Sequence, residues 1–217
     1  MARVRKIIGV DEAGKGDFLG PLVVAGFLCS ESDFERLTEL GVRDSKSIAE
    51  KKLLGISDQL RALYPHFILI ISPEEYNVRY KKIKNLNKLL ADCHADVITE
   101  IASSNQADRA LIDKFGKSEL VEKALSERNQ NIELIQEVKG ERYLPVAAAS
   151  ILARASFIDE MKKLEVKYGM PVPKGASAIV DEAARRLIDK HGEKTLGKVA
   201  KLHFKNRQRV TVTNLFA

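Results

Sequence analysis

Apolar positions along the chain alternate between short uniform runs and stripes with helical spacing. A β-branched run, Val4–Val10, leads through the polar, glycine-rich DEAGKGDFLG into a second apolar run, Pro21–Cys29. Two such runs joined by a tight glycine-rich connection predict an antiparallel hairpin. Helical spacing takes over at Asp33–Leu40, with Ser32 as its cap, Phe34, Leu37 and Leu40 on one face, and Gly41 as its stop. Beyond the turn Arg43–Lys46, the residues Ile48, Leu53, Ile56, Leu60 and Leu63 line one side of a second helix. The run His66–Ser72 (HFILIIS) is short and uniformly apolar, which predicts a buried strand, and Pro73 with Glu74 and Glu75 suits the first turn of the helix after it. Leu86 to Ile101 reads as a longer helix burying Leu86, Leu89, Leu90, Cys93, Val97, Ile98 and Ile101. Ala110–Asp113 and Ile132–Val138 are strands separated by a helical stretch, Ser118–Glu127. The last third is helical: Val146–Tyr168 with its small-residue run Ala147–Ala149, a break at Pro171 and Pro173, then Ala176–His191 and Lys194–Phe204.

Three antiparallel strands followed by βαβ crossovers make an α/β protein, with a mixed five-stranded sheet flanked by helices and a helical C-terminal region. At 217 residues and 45% apolar content one core suffices. The expected organisation is a single domain over 1–217, with 176–217 as a basic helical extension.

Charge adds a direction. The net charge is +6, and Lys190 to Arg209 alone holds seven basic residues against Glu193, so the whole excess sits near the C-terminus. Such a block suits a polyphosphate partner, since neutralised phosphates release counterions; a solvated terminal helix explains it equally well. The longest nearly apolar run, Phe18 to Cys29, is broken by Gly20, Pro21 and Gly26 and falls short of a spanning helix. Ile7–Val10 is too short for a signal-peptide core. Cys29 and Cys93 form no CxxC pair, so a reducing cytoplasm is expected, with no membrane partner. Thirteen aromatic residues without a tryptophan argue against a single-strand stacking platform.

The chemistry rests on carboxylates. Asp11 and Glu12 end the first predicted strand, where both can turn toward one cleft; Asp113 ends another, and Glu141 follows the last. Carboxyl ends of strands in open α/β sheets form the usual ligand crevice. Four acids gathered there need a cation to offset their repulsion, and oxygen-only ligation selects Mg²⁺ or Mn²⁺ over zinc. Beside a basic block, this suggests two-metal phosphodiester hydrolysis. Each acid taken singly is also explained as a surface or capping carboxylate. Gly14-Lys15-Gly16 fits neither GxxxxGK[ST] nor GxGxxG. Its backbone is open to a ribose 2′-OH, or it is a plain hairpin turn.

The strings DEAGKGDFLGPLVVAG (Asp11–Gly26), LGVRDSKSI (Leu40–Ile48), ALIDKF (Ala110–Phe115), KGERYLPVAAASILAR (Lys139–Arg154) and VPKGA (Val172–Ala176) together resemble the type 2 ribonucleases H, in the right order over nearly the whole chain. NLNKLLADCHADVI (Asn85–Ile98), PKGA (Pro173–Ala176), VDEAARRLID (Val180–Asp189) and AKLHF (Ala200–Phe204) look like ribonuclease HIII rather than HII. The KGYGT motif of HII is replaced by Lys174-Gly175-Ala176-Ser177, whereas the loop GKG is nearer the GRG of HII than the GTG of HIII. A first strand near residue 4 leaves the N-terminal substrate-binding domain typical of HIII without a place, so the basic C-terminal helices are expected to hold the substrate.

The resemblance implies a ribonuclease H-like fold and a metal-dependent endonuclease that hydrolyses the RNA strand of RNA/DNA hybrids, leaving 5′-phosphate and 3′-hydroxyl ends. Asp11, Glu12, Asp113 and Glu141 would bind two Mg²⁺ or Mn²⁺ ions, with Asp159 as the alternative fourth acid. Gly14, Lys15 and Gly16 would read the 2′-OH, and Lys15, Ser45, Lys46, Ser150 and Lys174 would contact phosphate. His203 is expected to be packed or to face phosphate, and the enzyme to act as a monomer. HII-type incision at single ribonucleotides and a non-catalytic nucleic-acid-binding protein remain the rival readings.

Overall fold

The computed structural model describes residues 5–211. Val4 and residues 212–217, the ends of the predicted first strand and of the predicted extension, lie outside the described residues. Five strands, β1 (Lys6–Ala13), β2 (Leu22–Ser30), β3 (His66–Ile71), β4 (Arg109–Asp113) and β5 (Glu133–Glu137), form one mixed sheet in the order β3-β2-β1-β4-β5. β1 pairs antiparallel with β2 and parallel with β4, which pairs parallel with β5. Nine helices lie among the described residues: α1 (Phe34–Glu39), α2 (Glu50–Leu63), α3 (Pro73–Ile83), α4 (Leu86–Ser104), α5 (Glu119–Ser126), α6 (Leu144–Tyr168), α7 (Ala178–His191), α8 (Leu196–Val199) and α9 (Asn206–Thr211).

The chain divides into two compact units. The first comprises residues 5–13, 23–69 and 85–156 and carries nearly all of the sheet. Its central strands bury Ile8, Val10, Val23, Val24, Phe27, Ala110 and Ile112, as alternating and uniform β-rich runs require when both faces are covered. α4 covers one face, where a Cβ at Gly26 would meet Val97 and Ile101 at 2.5 Å. The other face holds Ile7, Leu111 and Val146, the last from the start of α6. α4 begins at Asn85, whose side chain accepts the Lys88 N–H at 3.1 Å, and buries Leu89, Leu90, Cys93, His94, Val97, Ile98 and Ile101.

The second unit comprises residues 14–22, 70–84 and 157–211: the glycine-rich connection, α3, the end of α6, and α7 to α9. Pro73 opens α3 behind Ser72, whose hydroxyl accepts the Glu75 N–H.

Three expectations are corrected. β3 is an outer strand and mostly half-buried, with Ile70 42% exposed, because uniform apolarity does not distinguish a central strand from an edge. The predicted helix Lys194–Phe204 stops at Val199, since Ala200 turns extended and bridges Leu19. Asp11 and Glu12 do close β1, but they do not turn toward one cleft, because the ladder with β2 continues until Ala13 faces Val23 and keeps the two side chains on opposite faces.

Candidate active site

The parallel ladder of β1 and β4 sets Val10 opposite Ile112. The next residue of each strand, Asp11 and Asp113, therefore stands in adjoining positions about 4.8 Å apart and on the same side of the pleat. That side receives α6. A Cβ at Gly9, two residues before Asp11, would lie 2.1 Å from the Pro145 carbonyl carbon and oxygen, so the bare glycine lets the helix backbone rest on the strand. The contact brings Ser150 to Asp11, to which its side chain is hydrogen-bonded, and Ser150 Oγ lies 2.9 Å from the buried Ser45 hydroxyl. Arg154 donates to the Ser45 carbonyl. Desolvation and the adjacent Glu12 charge push the Asp11 carboxyl up to about 6, against the opposing pull of the Ser150 bond.

Strand alternation sends Glu12 to the other face. Its side chain, 4% exposed, accepts a hydrogen bond from His94 on α4 across 3.0 Å. The His94 ring is fully buried edge-on to Phe115 at 4.7 Å. Glu141 belongs to a single 3₁₀ turn, Gly140–Arg142, laid directly on the end of β4. The Gly140 N–H donates to Asp113 Oδ1 at 2.9 Å, and a Cβ at Gly140 would lie 2.9 Å from Asp113 Cα. The structure thus gathers Asp11, Asp113 and the Glu141 turn at one end of the sheet and turns Glu12 toward α4. Asp159 is exposed on α6. Among the described residues no three His, Cys, Asp or Glu side chains stand close enough to hold a metal ion. The donor chemistry nevertheless fits a hard divalent cation, because the face beside α6 offers the Asp11 and Asp113 carboxylates in register, an oxygen-only donor set.

The second unit holds Gly14, Lys15, Gly16 and Lys174. Gly14 has φ +87° and a Cβ there would strike the Pro21 carbonyl at 2.3 Å, so the fold itself requires this glycine. A Cβ at Gly16 would meet nothing within 4 Å, and Lys15, Gly16 and Lys174 are exposed. The loop and the Lys174 turn are joined: the Phe18 N–H donates to the Gly175 carbonyl at 2.9 Å, and the Gly175 N–H to Asp17 Oδ1 at 2.5 Å. Lys46 is exposed on the turn that buries Ser45.

The sequence profile of ribonuclease HII matches residues 8–207. The chain belongs to the ribonuclease HII family. Within these type 2 ribonucleases H it is 39% identical over 198 residues to ribonuclease HIII of Protochlamydia amoebophila, covering 91% of this chain and 66% of that one. It is 41% identical over 205 residues to ribonuclease HIII of Chlamydia pneumoniae, covering 93% and 69%. It therefore spans about two thirds of the length of these relatives. In fold it is similar to Bst-RNase HIII, solved in complex with Mn²⁺, with a TM-score of 0.89 at 33% identity over 95% of this chain and 69% of that one.

Sequence reading missed two side chains. His94 follows Leu90 and precedes Ile98 at four-residue steps, so its place on the buried stripe of α4 was readable. Lys201 had no local signal: it is fully buried, and its partners lie more than 180 residues away. Arg209 is likewise engaged, with Asp181 at 2.6 Å. Two of the seven cations in the C-terminal block thus have internal partners. His203 is packed, its ring stacked on Tyr80 at 4.3 Å and Tyr76 at 5.5 Å.

Proposed function

We propose that this chain is a metal-dependent endonuclease that hydrolyses the RNA strand of RNA/DNA hybrids in the manner of ribonuclease HIII, leaving 5′-phosphate and 3′-hydroxyl ends. The observation that carries the reading is the register that sets Asp11 beside Asp113 at one end of the sheet, with the Glu141 turn bonded to Asp113. Asp11, Asp113 and Glu141 would hold two Mg²⁺ or Mn²⁺ ions from the face beside α6, with Glu12, whose charge already acts on Asp11, completing the set from the strand end. When bound, the ions supply a water activated near neutral pH and stabilise the charge that builds on the phosphate. Ser150, backed by Ser45, orients Asp11, and His94 orients Glu12. Gly16 leaves its backbone clear for a ribose 2′-OH, the group that separates RNA from DNA. Lys15, Lys46 and Lys174 are exposed cations for the phosphate backbone, and the remaining cations of the stretch 176–211 supply further attraction. The 1–217 segment acts as one catalytic domain, a monomer working in a reducing cytoplasm; both described cysteines are buried free thiols, and no helix among the described residues is long and apolar enough to cross a membrane.

The test is cleavage, with Mg²⁺ or Mn²⁺, of two end-labelled duplexes, one an uninterrupted hybrid and one DNA with a single ribonucleotide. Cutting of the hybrid alone is the expected result. Incision at the lone ribonucleotide would make the enzyme HII-like, and no cutting of either would leave a nucleic-acid-binding protein. Asp113→Asn is expected to abolish cleavage while retaining hybrid affinity.

A further inference from the structure

We propose that Lys201 is a positioning residue that clamps the glycine loop and so sets discrimination between RNA and DNA. The proposal rests on the reading of Gly14–Gly16 as the ribose-sensing segment.

Lys201 is fully buried, and its ammonium donates to two backbone carbonyls, Asp17 and Gly20, both at 2.7 Å. The same residue's N–H donates to the Phe18 carbonyl at 2.9 Å, and the Gly20 N–H donates to the Val199 carbonyl at 2.8 Å. The extended step at Ala200 that ends α8 is what delivers Lys201 to this position. Four hydrogen bonds therefore hold residues 17–20 against 199–201. Asn77 secures the other side of the strap, donating to the Gly197 and Ala200 carbonyls at 3.1 and 2.9 Å and accepting from the Leu202 N–H at 2.8 Å.

A buried ammonium is an expensive way to fill space, and a methionine of similar length would occupy it without desolvating a charge. What the ammonium adds is the fixed separation of two carbonyls that bracket Phe18 and Leu19. Through Asp17 the fixation extends to the Lys174 turn, whose Gly175 N–H the Asp17 carboxylate accepts. The other end of the loop is fixed by Gly14, whose φ of +87° and contact with Pro21 admit no side chain. Lys15 and Gly16 form the exposed summit of a loop held at both ends. A 2′-OH differs from hydrogen by one polar group, so reading it requires a donor or acceptor whose position does not relax.

The experiment compares equilibrium binding of an RNA/DNA hybrid and a DNA duplex of the same sequence, in EDTA to prevent cleavage, for the unaltered chain and Lys201→Met. Circular dichroism checks folding. The expected result is a roughly tenfold loss of hybrid preference, the size of one lost hydrogen bond, with DNA-duplex affinity unchanged. With metal restored, KM for hybrid is expected to rise more than kcat falls. A folded Lys201→Met variant with the parent's hybrid preference overturns the proposal. If that variant does not fold, Lys201→Gln, which keeps donors but is too short for both carbonyls, is read by the same ratio. Amide hydrogen exchange at Phe18 and Gly20 of the unaltered protein, whose N–H groups are bonded within the clamp, gives a reading free of variants: protection close to that of the central strands supports the clamp, and fast local exchange overturns it. Should the unaltered chain bind hybrid no better than DNA, the ribose-sensing reading fails, and exchange alone judges the clamp.

Discussion

His94 Nε2 and Glu12 Oε2 meet at 3.0 Å across the interface of α4 with the sheet, the imidazole fully buried and the glutamate side chain 4% exposed. With the carboxylate ionised, Nε2 must carry the proton. Replacing His94 by Leu removes this partner from a buried charge, and a loss of about 1–3 kcal/mol in urea unfolding is expected. His94→Gln, which retains an N–H, should recover part of it. Isothermal titration with Mn²⁺ reports whether Glu12 has lost its orientation as well: weaker binding in the Leu variant and recovery in Gln is the expected pattern.

Gly9 is the point where α6 rests on β1, and its contact is with backbone that cannot swing aside. Gly9→Ala is expected to destabilise the fold by about 3 kcal/mol, a large overpacking effect, and to displace Ser150 from Asp11. Chemical denaturation measures the first. Hybrid cleavage by the folded fraction should fall too, whereas Gly55→Ala, at an exposed helical site with nothing within 4 Å of its Cβ, should leave cleavage unchanged and raise stability by about 0.5–1 kcal/mol.

Asp11 is held protonated to a higher pH than in the unfolded chain, its carboxyl raised to about 6 by desolvation and then by Glu12. Below about pH 4 both states are protonated, and the native state has its full advantage. As pH rises through 6 the native state must ionise a group the unfolded chain ionised earlier, so stability is lost. The loss is about 2 kcal/mol, less than the full shift implies because Asp11 keeps some contact with water. In EDTA at pH 7, Asp11→Asn should therefore be more stable than the parent by a similar amount and catalytically dead. Added Mn²⁺ should narrow the gap by stabilising only the parent.

His203 shows the opposite dependence. Burial in the stack with Tyr76 and Tyr80, then the charge of Lys201, lower its pKa to about 4. Its contribution is intact above the unfolded value near 6.5 and is lost as pH falls toward 4. The difference in urea midpoint between parent and His203→Phe should shift in favour of the variant over that interval and stay flat above pH 7.

Much of this was legible from residue order. The hairpin, the opening of α3 at Pro73 and the long buried face of α4 each arise from neighbours within a few positions; the cap expected at Ser32 falls to its neighbour Asp33, and the meeting of Asp11 with Asp113 needs the β1–β4 register. What stayed hidden depended on distant pairing. Nothing around Asp11 and Glu12 says that the ladder with β2 runs on to Ala13, and that continuation turns two adjacent carboxylates to opposite faces. Nothing around Ala200 says that Leu19 will draw it out of a helix. Lys201 reads as one more surface cation because its partners are carbonyls, which carry no side-chain signature.

The parallel pairing of β1 with β4 has a temporal consequence. β1 and β2 are complete once Ser30 has been made, yet β1 gains its second neighbour only when Arg109–Asp113 exists, and Gly9 is covered only when Pro145 arrives. At about 5–20 residues per second, the hairpin waits for several seconds of synthesis with one edge open. During that interval the strand bearing Asp11 has no place to bury its far side. The carboxylates that unsettle the finished centre also keep the waiting edge polar at its end, which guards it against pairing with another chain.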